Sequence, residues 1–263
     1  MPKIFRLSIL FIGFCVAVGL HSALAQDAAM SSAPAFNGGV FVTPVPNAPF
    51  YALAMQEMAQ ILSDGNSFRR KTSAVIARDS TGRIHNESHQ VIPVSATREP
   101  ALLSIHIYDP NTRINLFLNP YTHIAQERIL ANPPSASPPA NWAQHESGNR
   151  TLPPGIREED LGSSVIESFD AHGYRRTIAI SDKSSGTGKP VTITDEYWYS
   201  EELHINLVTK HNDPRTGSLA IAVKNINVGE PAVELFDVPP EYKVVDLTPP
   251  DAANSPNTVP VVR

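Results

Sequence analysis

Cysteine is almost absent from this sequence, which has one, Cys15, among its 263 residues. Cys15 lies in an apolar stretch near the N-terminus and lacks the small residues that precede the cysteine of a lipobox. The rest of the chain therefore has no disulfide, no thiolate metal ligand and no cysteine nucleophile. A chain without disulfides depends on its hydrophobic core, and about 200 residues of ordered chain are enough to build one.

Long apolar runs are also scarce, and Leu7–Leu20 is the one that stands out. Lys3 and Arg6 precede it and Ala23-Leu24-Ala25 follows, which is the pattern of a signal peptide over residues 1–25, cleaved after Ala25. The run is shorter than the roughly 20 apolar residues of a spanning helix, which disfavours the alternative, an uncleaved anchor. We expect a periplasmic or secreted protein with no transmembrane segment after cleavage.

An excess of positive charge is absent as well, since 21 basic side chains face 26 acidic ones and the net charge is −5. Cleavage after Ala25 removes Lys3 and Arg6 and no acid, so that 19 basic side chains remain and the net charge becomes −7. The charges are scattered rather than clustered. Such a chain has no electrostatic footprint for nucleic acid or anionic lipid, and we expect no nucleic-acid partner.

Three segments rich in proline, alanine, serine or glycine are predicted to lie outside the regular sheet. Residues 26–48 are predicted to be a disordered leader, 131–155 a proline-rich loop and 248–263 a disordered tail. Proline supplies no N–H to a strand ladder, so the loop should separate two groups of strands. The remaining residues, 49–247, are predicted to form one antiparallel β domain.

Within this domain, short runs of alternating apolar and polar residues are separated by turn sequences. The alternation predicts strands with one buried and one wet face. The turns DSTG, DPNT, DAHG and NDPRTG give short connections, which favour antiparallel neighbours. The pattern indicates about nine strands in hairpin order. Strand Ile84–Val91 is polar on both faces, which predicts an edge strand.

The segment Phe50–Leu62 fits two structures. Its alanine, methionine, glutamine, glutamate and leucine favour a helix. Tyr51, Leu53 and Met55 also alternate as in a strand, and the following DGN resembles a hairpin turn. Local composition alone leans to helix.

The spacing of the histidines predicts no metal site. His85 and His89 would share one face of a helix, but on a strand they lie about 13 Å apart, too far for one zinc ion. His106, His204 and His211 could meet across a sheet, although each alone is typical of a surface or hydrogen-bonded histidine. We expect neither a metal nor a cofactor.

The sequence motifs of common catalytic sites are also missing or incomplete. At SSGTGKP (184–190), the preceding Lys183 and the final Pro190 stand where a phosphate-binding loop needs glycine and serine or threonine, which favours an ordinary hairpin loop. Neither a Gly-x-Ser-x-Gly elbow nor a dinucleotide fingerprint is present. The neighbouring acids Asp195 and Glu196 would point to opposite faces of a strand, unlike a glycosidase pair. We expect no catalytic residue and no enzyme.

The aromatic group Tyr197-Trp198-Tyr199 is the most distinctive local feature. Trp198 should face away from its two neighbours, because successive residues of a strand alternate faces. One interpretation is a core residue with a cross-strand aromatic pair. The other is an aromatic wall that lines an apolar cavity or a partner groove.

Several segments together resemble a family of uncharacterised secreted proteins common in acidobacteria, over about residues 50–246. In outline that family is similar to the lipoprotein-carrier (LolA-like) half-barrel, a curved antiparallel sheet with an apolar concave face. The resemblance implies a strand over Phe50–Leu62 and an apolar plug, Leu235-Phe236, that enters the sheet; it implies no catalytic residue. The segments are DGN (64–66), RDSTGRIHNE (78–87), IYDPNTR (107–113), EDLGSSVIESFDAHGYRRT (159–177), EYWYSEEL (196–203), DPRTG (213–217) and LFDVPPEYKVV (235–245).

We therefore predict a mainly β fold, a single curved antiparallel sheet or open half-barrel in hairpin order with little helix. The predicted function is that of a non-enzymatic exported protein that binds an apolar ligand, a lipid or a lipoprotein acyl chain, in the concave face. The alternative is an envelope protein–protein interaction module with no small-molecule ligand. The predicted lining residues, for which ordinary core is the competing interpretation, are Trp198, Leu203, Ile205, Leu207, Leu219, Ile221 and Val223.

Overall fold

A computed structural model describes residues 42–62, 64–130 and 152–249. The predicted signal peptide, most of the predicted leader, residues 131–151 of the predicted loop and residues 250–263 of the predicted tail lie outside the described residues. The described part contains a single turn of 3-10 helix, Val233–Phe236, and thirteen strands. The strands are β1 (Phe50–Ile61), β2 (Ser67–Arg78), β3 (Ile84–His89), β4 (Ile92–Pro93), β5 (Leu102–Tyr108), β6 (Ile114–Asn119), β7 (Ile124–Ile129), β8 (Ile156–Ile166), β9 (Phe169–Ile180), β10 (Val191–Ser200), β11 (Ile205–Asp213), β12 (Gly217–Val228) and β13 (Lys243–Asp246).

All thirteen strands belong to one sheet, in the order β8-β9-β10-β11-β12-β1-β2-β3-β5-β6-β7-β13, with β4 also paired to β2. Neighbours are antiparallel except β13, which runs parallel to β7. The sheet does not close on itself and carries very little helix. The predicted mainly β fold, a single open antiparallel sheet largely in hairpin order, is confirmed.

Strand β1 joins the two halves of the sheet. It pairs with β2 from Phe50 to Ile61 on one side and with β12 from Phe50 to Gln60 on the other. The helix favoured by local composition is therefore wrong and the strand implied by the family resemblance is confirmed. In model peptides, the helix preference of such residues is about a few tenths of a kcal/mol per residue. Hydrogen bonding to two neighbouring strands along nearly the whole segment outweighs it.

The connection between β8 and β9 differs from the prediction. The turn is Glu167-Ser168, with φ of 51° and 72°, and Ile166 pairs with Phe169 across it. Two residues with positive φ form the tight turn that suits the twist of a hairpin, usually with asparagine and glycine. The predicted turn DAHG (170–173) lies inside β9 instead.

Strand β3 lies inside the sheet, between β2 and β5, so the predicted edge strand is wrong. Its polar residues pair with one another: Glu87 reaches the Nε2 atoms of His85 and His89 at 3.5 Å each. The prediction of an edge strand assumed that the polar residues of both faces would bind water. In the structure they contact one another instead.

Two hydrophobic cores lie on opposite faces of β1, because alternate residues of a strand point to opposite sides. Phe50 and Ala52 belong to one core, whereas Tyr51 packs against the other. The first core comprises Val42, Phe50, Ala52, Ala54, Ile76, Ile84, Ala171, Leu203, Ile205, Leu207 and Val223. The second core comprises Ala77, Ile107, Leu116, Leu118, Ala125 and Phe236.

Arg78 fixes the segment before β1 onto the first core. Its fully buried guanidinium donates to the carbonyl oxygens of Thr43 (2.8 Å), Ala48 (2.8 Å) and Leu203 (2.7 Å) and lies over the ring of Phe50. Burial lowers its pKa to about 10, which leaves it charged at neutral pH. One side chain thus ties residues 43–48 and the turn before β11 to β2.

Candidate ligand-binding site

Most of the predicted lining residues come together in a packed core: Leu203, Ile205, Leu207 and Val223 belong to the first core and Trp198 packs against it, whereas Leu219 and Ile221 lie outside this cluster. Leu203 precedes β11, and the other aliphatic residues lie on β11 and β12. Five of them are no more than 3% exposed, and Leu219 is half-buried. A ligand among these side chains would have to separate groups already in contact with one another. The five are Leu203, Ile205, Leu207, Ile221 and Val223.

Trp198 is held in place on both sides of its ring system. It lies opposite Gly173 of β9, where a Cβ atom would sit 2.8 Å from the indole ring. The ring therefore covers a position at which only glycine leaves room, and its partly buried surface packs against the first core. Its Nε1 donates to Glu196 Oε1 at 2.9 Å. Trp198 is a fixed cross-strand packing residue in this structure.

Glu196 is the centre of a polar cluster on the same part of the sheet. Besides Trp198, Arg175 and Lys210 each donate to its carboxylate at 2.9 Å. Burial on its own would raise the pKa of Glu196, but the three donors outweigh it and lower the pKa to about 2. The carboxylate is therefore ionised at neutral pH and fully engaged in positioning its neighbours.

An open cavity lies on the other side of the molecule's central strand, beside the second core. It has a volume of about 340 Å³ and lies under the connection from β12 to the 3-10 turn. Tyr51 of β1 and Leu235 of the 3-10 turn line it from two directions. We call this cavity the plug groove; its lining is Tyr51, Asn227, Gly229, Glu230, Pro231, Ala232 and Leu235.

The plug implied by the resemblance is present. Phe236 is buried in the second core and Leu235 packs against the same core. The guanidinium of Arg83, which is paired with Asp79 at 2.6 Å, lies 4.9 Å from the ring centre of Phe236. The plug is therefore clamped on one side by the β2–β3 turn, and Leu235 is left at the border of the groove.

His85 connects the plug to the interior of the sheet. Its Nδ1 is 2.6 Å from the carbonyl oxygen of Leu235, so that nitrogen carries the proton and donates it. Its Nε2 faces Glu87, which also accepts from the backbone N–H of Val75. Burial would raise the pKa of Glu87, but the neighbouring imidazole of His85 and the hydrogen bond from the backbone N–H of Val75 outweigh it and lower the pKa.

The other histidines do not converge. His106 lies on β5, stacked on Phe117, whereas His211 lies on β11 and is 2.6 Å from Asp195. Five strand-to-strand steps separate β5 from β11 in the sheet, so the suggested meeting of these two with His204 is wrong. Within residues 42–62, 64–130 and 152–249, no group of three or more histidine, cysteine, aspartate or glutamate side chains has metal-binding geometry.

Sequence reasoning missed most of the groove. Its floor, Tyr51, and its roof, Pro231 and Ala232, are far apart in the chain and meet because β1 pairs with the end of β12. Glycine, proline and alanine after a strand indicated only a connection. Leu235 was the one signal available, through the family resemblance. In the described part of the chain, no helix has the length and apolar character needed to cross a membrane.

No protein-family model matches the sequence, and a comparison with curated proteins finds no match either. Several solved structures match in outline. A conserved protein from Thermus thermophilus matches at 7% identity and a TM-score of 0.38, over 76% of this chain and 91% of that chain. A chain of the Pseudomonas aeruginosa MucA/MucB complex matches at 11% identity and a TM-score of 0.35, over 75% of this chain and 58% of that chain.

A LolA superfamily protein from Nitrosomonas europaea matches at 8% identity and a TM-score of 0.29, over 74% of this chain and 92% of that chain. The solved structures that match in outline include this member of the lipoprotein-carrier class that the sequence resembles. At these identities and TM-scores, no ligand, partner or residue role is carried from them to this chain.

Proposed function

We propose that this protein is a non-enzymatic, exported binding protein that takes an apolar ligand, such as a lipid or lipoprotein acyl chain, in the plug groove. The observation that carries the proposal is the open cavity of about 340 Å³ beside a clamped plug. Small-molecule sites are concave, mostly apolar and about 300–1,000 Å³ in volume. Export is supported by the signal peptide predicted over residues 1–25.

The chemistry of the lining favours an apolar or neutral group. Tyr51, Pro231, Ala232 and Leu235 offer ring and aliphatic surface. Glu230 supplies the charged group of the lining at neutral pH, and its carboxylate accepts from the backbone N–H of Ser80 at 3.1 Å. A negative charge fixed at the rim repels an anionic head group, whereas an acyl chain meets no such penalty.

The close packing of the first core favours the plug groove as the ligand site over the aliphatic residues predicted from the sequence. Leu207 and Val223 are fully buried, so a ligand between them requires the core to open. The plug groove is already open to solvent, so a ligand can enter it without breaking packing. Binding between the first-core residues stays a prediction that the same experiment tests.

The test is a titration of the mature protein with dodecanol, a neutral probe with an alkyl chain. Binding is measured by the change in the NMR chemical shifts of Tyr51. Ala232→Trp fills the groove and should weaken binding at least tenfold. Val233→Trp is the matched control, because Val233 adjoins Ala232 but is not part of the lining and is 54% exposed. Equal affinity of wild type and Ala232→Trp, or no binding by wild type, would contradict the proposal.

A second function, binding of another envelope protein, is favoured by a separate apolar surface. Ile61, Leu62 and Phe68 flank the β1–β2 turn and are 38–42% exposed. Contiguous exposed apolar surface on a folded domain marks contact sites for other molecules, which is the role proposed for these three side chains. Cross-linking through a photoreactive group at Phe68 in the native envelope tests it: a protein adduct supports this function, and lipid adducts alone contradict it.

A further inference from the structure

Arg113 is a buried cation to which no described residue offers a hydrogen-bond acceptor. It follows the turn Asp109–Thr112 between β5 and β6, with a positive φ of 62°, and its carbonyl oxygen accepts from Leu130 N–H at 3.0 Å. The backbone is therefore fixed between two strand ends. The side chain is only 6% exposed, so the guanidinium is removed from water.

None of the three guanidinium nitrogens of Arg113 donates a hydrogen bond to any residue that the structure describes, although all three are buried. Arg78, equally buried, has three carbonyl acceptors. Arg83 and Arg215 each reach a carboxylate at 2.6–2.7 Å. A buried guanidinium that has lost its water without gaining an acceptor is strongly unfavourable. Of the two arginines that are buried among the described residues, Arg78 and Arg113, only Arg113 lacks acceptors.

The acid of the preceding turn is engaged by the backbone. Asp109 Oδ1 accepts from the backbone N–H groups of Asn111 at 2.8 Å and Thr112 at 3.4 Å, which closes the turn. Tyr108, which precedes the turn and packs against the first core, lies within electrostatic reach of Arg113. Burial and the charge of Asp109 raise the pKa of Tyr108, and the charge of Arg113 opposes that rise. The guanidinium of Arg113 therefore has the phenol of Tyr108 within electrostatic reach, and no acid of the described residues accepts a hydrogen bond from it.

We propose that Arg113 binds an oxyanion, either a carboxylate or a phosphate group, with the Tyr108 hydroxyl as a second donor. The planar guanidinium offers two parallel N–H groups that match both anions. An anion would supply the acceptor that the buried cation lacks. Neither residue lines the plug groove, so this site does not depend on the proposed apolar function.

The experiment compares thermal unfolding of the mature protein at pH 7 in sodium chloride, acetate and inorganic phosphate at equal ionic strength. An anion at one hundred times its Kd should raise the Tm by about 5–10 °C. A response to acetate alone identifies a carboxylate site, and a response to phosphate identifies a phosphate site. Because phosphate also stabilises proteins by exclusion from their surface, the measured quantity is the difference between wild type and Arg113→Met.

Arg113→Met should abolish the anion-dependent part of the Tm shift and, in chloride, leave the Tm equal to or above that of wild type. Arg128→Met, which removes an exposed arginine on β7, is the matched control and should keep the full shift. Tyr108→Phe retains the ring packing and should reduce the shift, which keeps the test available if Arg113→Met does not fold. Identical shifts in wild type, Arg113→Met and Tyr108→Phe, or no shift in wild type, would overturn the proposal.

Discussion

The first and second cores are built from the two faces of the same strand, yet they are covered in different ways. Over the first core, Arg78 binds three carbonyl oxygens and ties residues 43–48 down, and Val42 is fully buried there. Over the second core, Phe236 is inserted but Leu235 borders an open groove. An apolar face on a sheet therefore does not identify a binding face. The decisive feature is whether the covering segment fills the space beside it.

The largest expected effect comes from removing the clamp over the first core. Arg78→Met leaves three carbonyl oxygens without their donor, and we expect the free energy of unfolding to fall by about 3–5 kcal/mol. Urea unfolding measures it. Arg69→Met, which removes an exposed arginine paired with Glu57, is the control and should cost less than about 1 kcal/mol. Similar losses for both variants would mean that the first core is not sealed by Arg78.

Truncation within the first core should affect stability and not ligand binding. Leu207→Ala removes a fully buried side chain, and we expect a loss of about 2–5 kcal/mol in unfolding free energy. Leu219→Ala, on the half-buried residue, should cost less. Dodecanol affinity, measured on the folded fraction, should be unchanged in both. A stable Leu207→Ala variant that no longer binds dodecanol would contradict the groove as the site and support the lining residues predicted from the sequence.

In the second core, we expect the plug, Leu235-Phe236, to be the part that a substitution of His85 destabilises. His85→Phe removes the hydrogen bond to the Leu235 carbonyl oxygen, at a cost of about 1–2 kcal/mol. Amide hydrogen exchange of residues 233–238 should accelerate, because the plug loses its connection to β3. His106→Phe loses the 2.7 Å contact to Asn115 on another part of the sheet and serves as the control. Unchanged exchange in His85→Phe would show that Arg83 alone holds the plug.

The smallest effect concerns pH. The pKa of Glu196 is lowered to about 2, so the stability it contributes is complete above its unfolded pKa of 4.5 and is lost as the pH falls from 4.5 towards 2. Since Arg175 and Lys210 are partly exposed, solvent screening limits the loss to about 1–2 kcal/mol. Glu196→Gln should flatten the unfolding free energy over that pH window. An unchanged slope would assign acid sensitivity to other carboxylates.

The strands were largely predictable because alternation reports which face is buried. The turns at Asp79, Asp109 and Asp213 formed where expected, since each aspartate accepts from a backbone N–H two residues on. Glu167-Ser168 was not predictable, because neither residue favours positive φ and the hairpin imposes it. The helix preference of Phe50–Leu62 failed for the same reason: pairing with β2 and β12 decides its structure.

The candidate site was less predictable than the fold. Tyr51 and Ala232 are brought together by the pairing of the first and last long strands, which no local pattern encodes. Arg113 follows an ordinary turn, and nothing in its neighbours in sequence indicates that its guanidinium is buried. Alternation identified the residues of the first core correctly as apolar and inward-facing, but it could not show that other segments already fill the space above them.

The most direct test of the central claim is native mass spectrometry of the mature protein, purified without detergent from its own envelope fraction, followed by organic extraction. Wild type and the groove-filling Ala232→Trp variant are prepared side by side. The account predicts a bound acyl species on wild type that is released on denaturation and is absent from Ala232→Trp. A bare wild-type mass with no lipid in the extract, or equal lipid on both proteins, would contradict it.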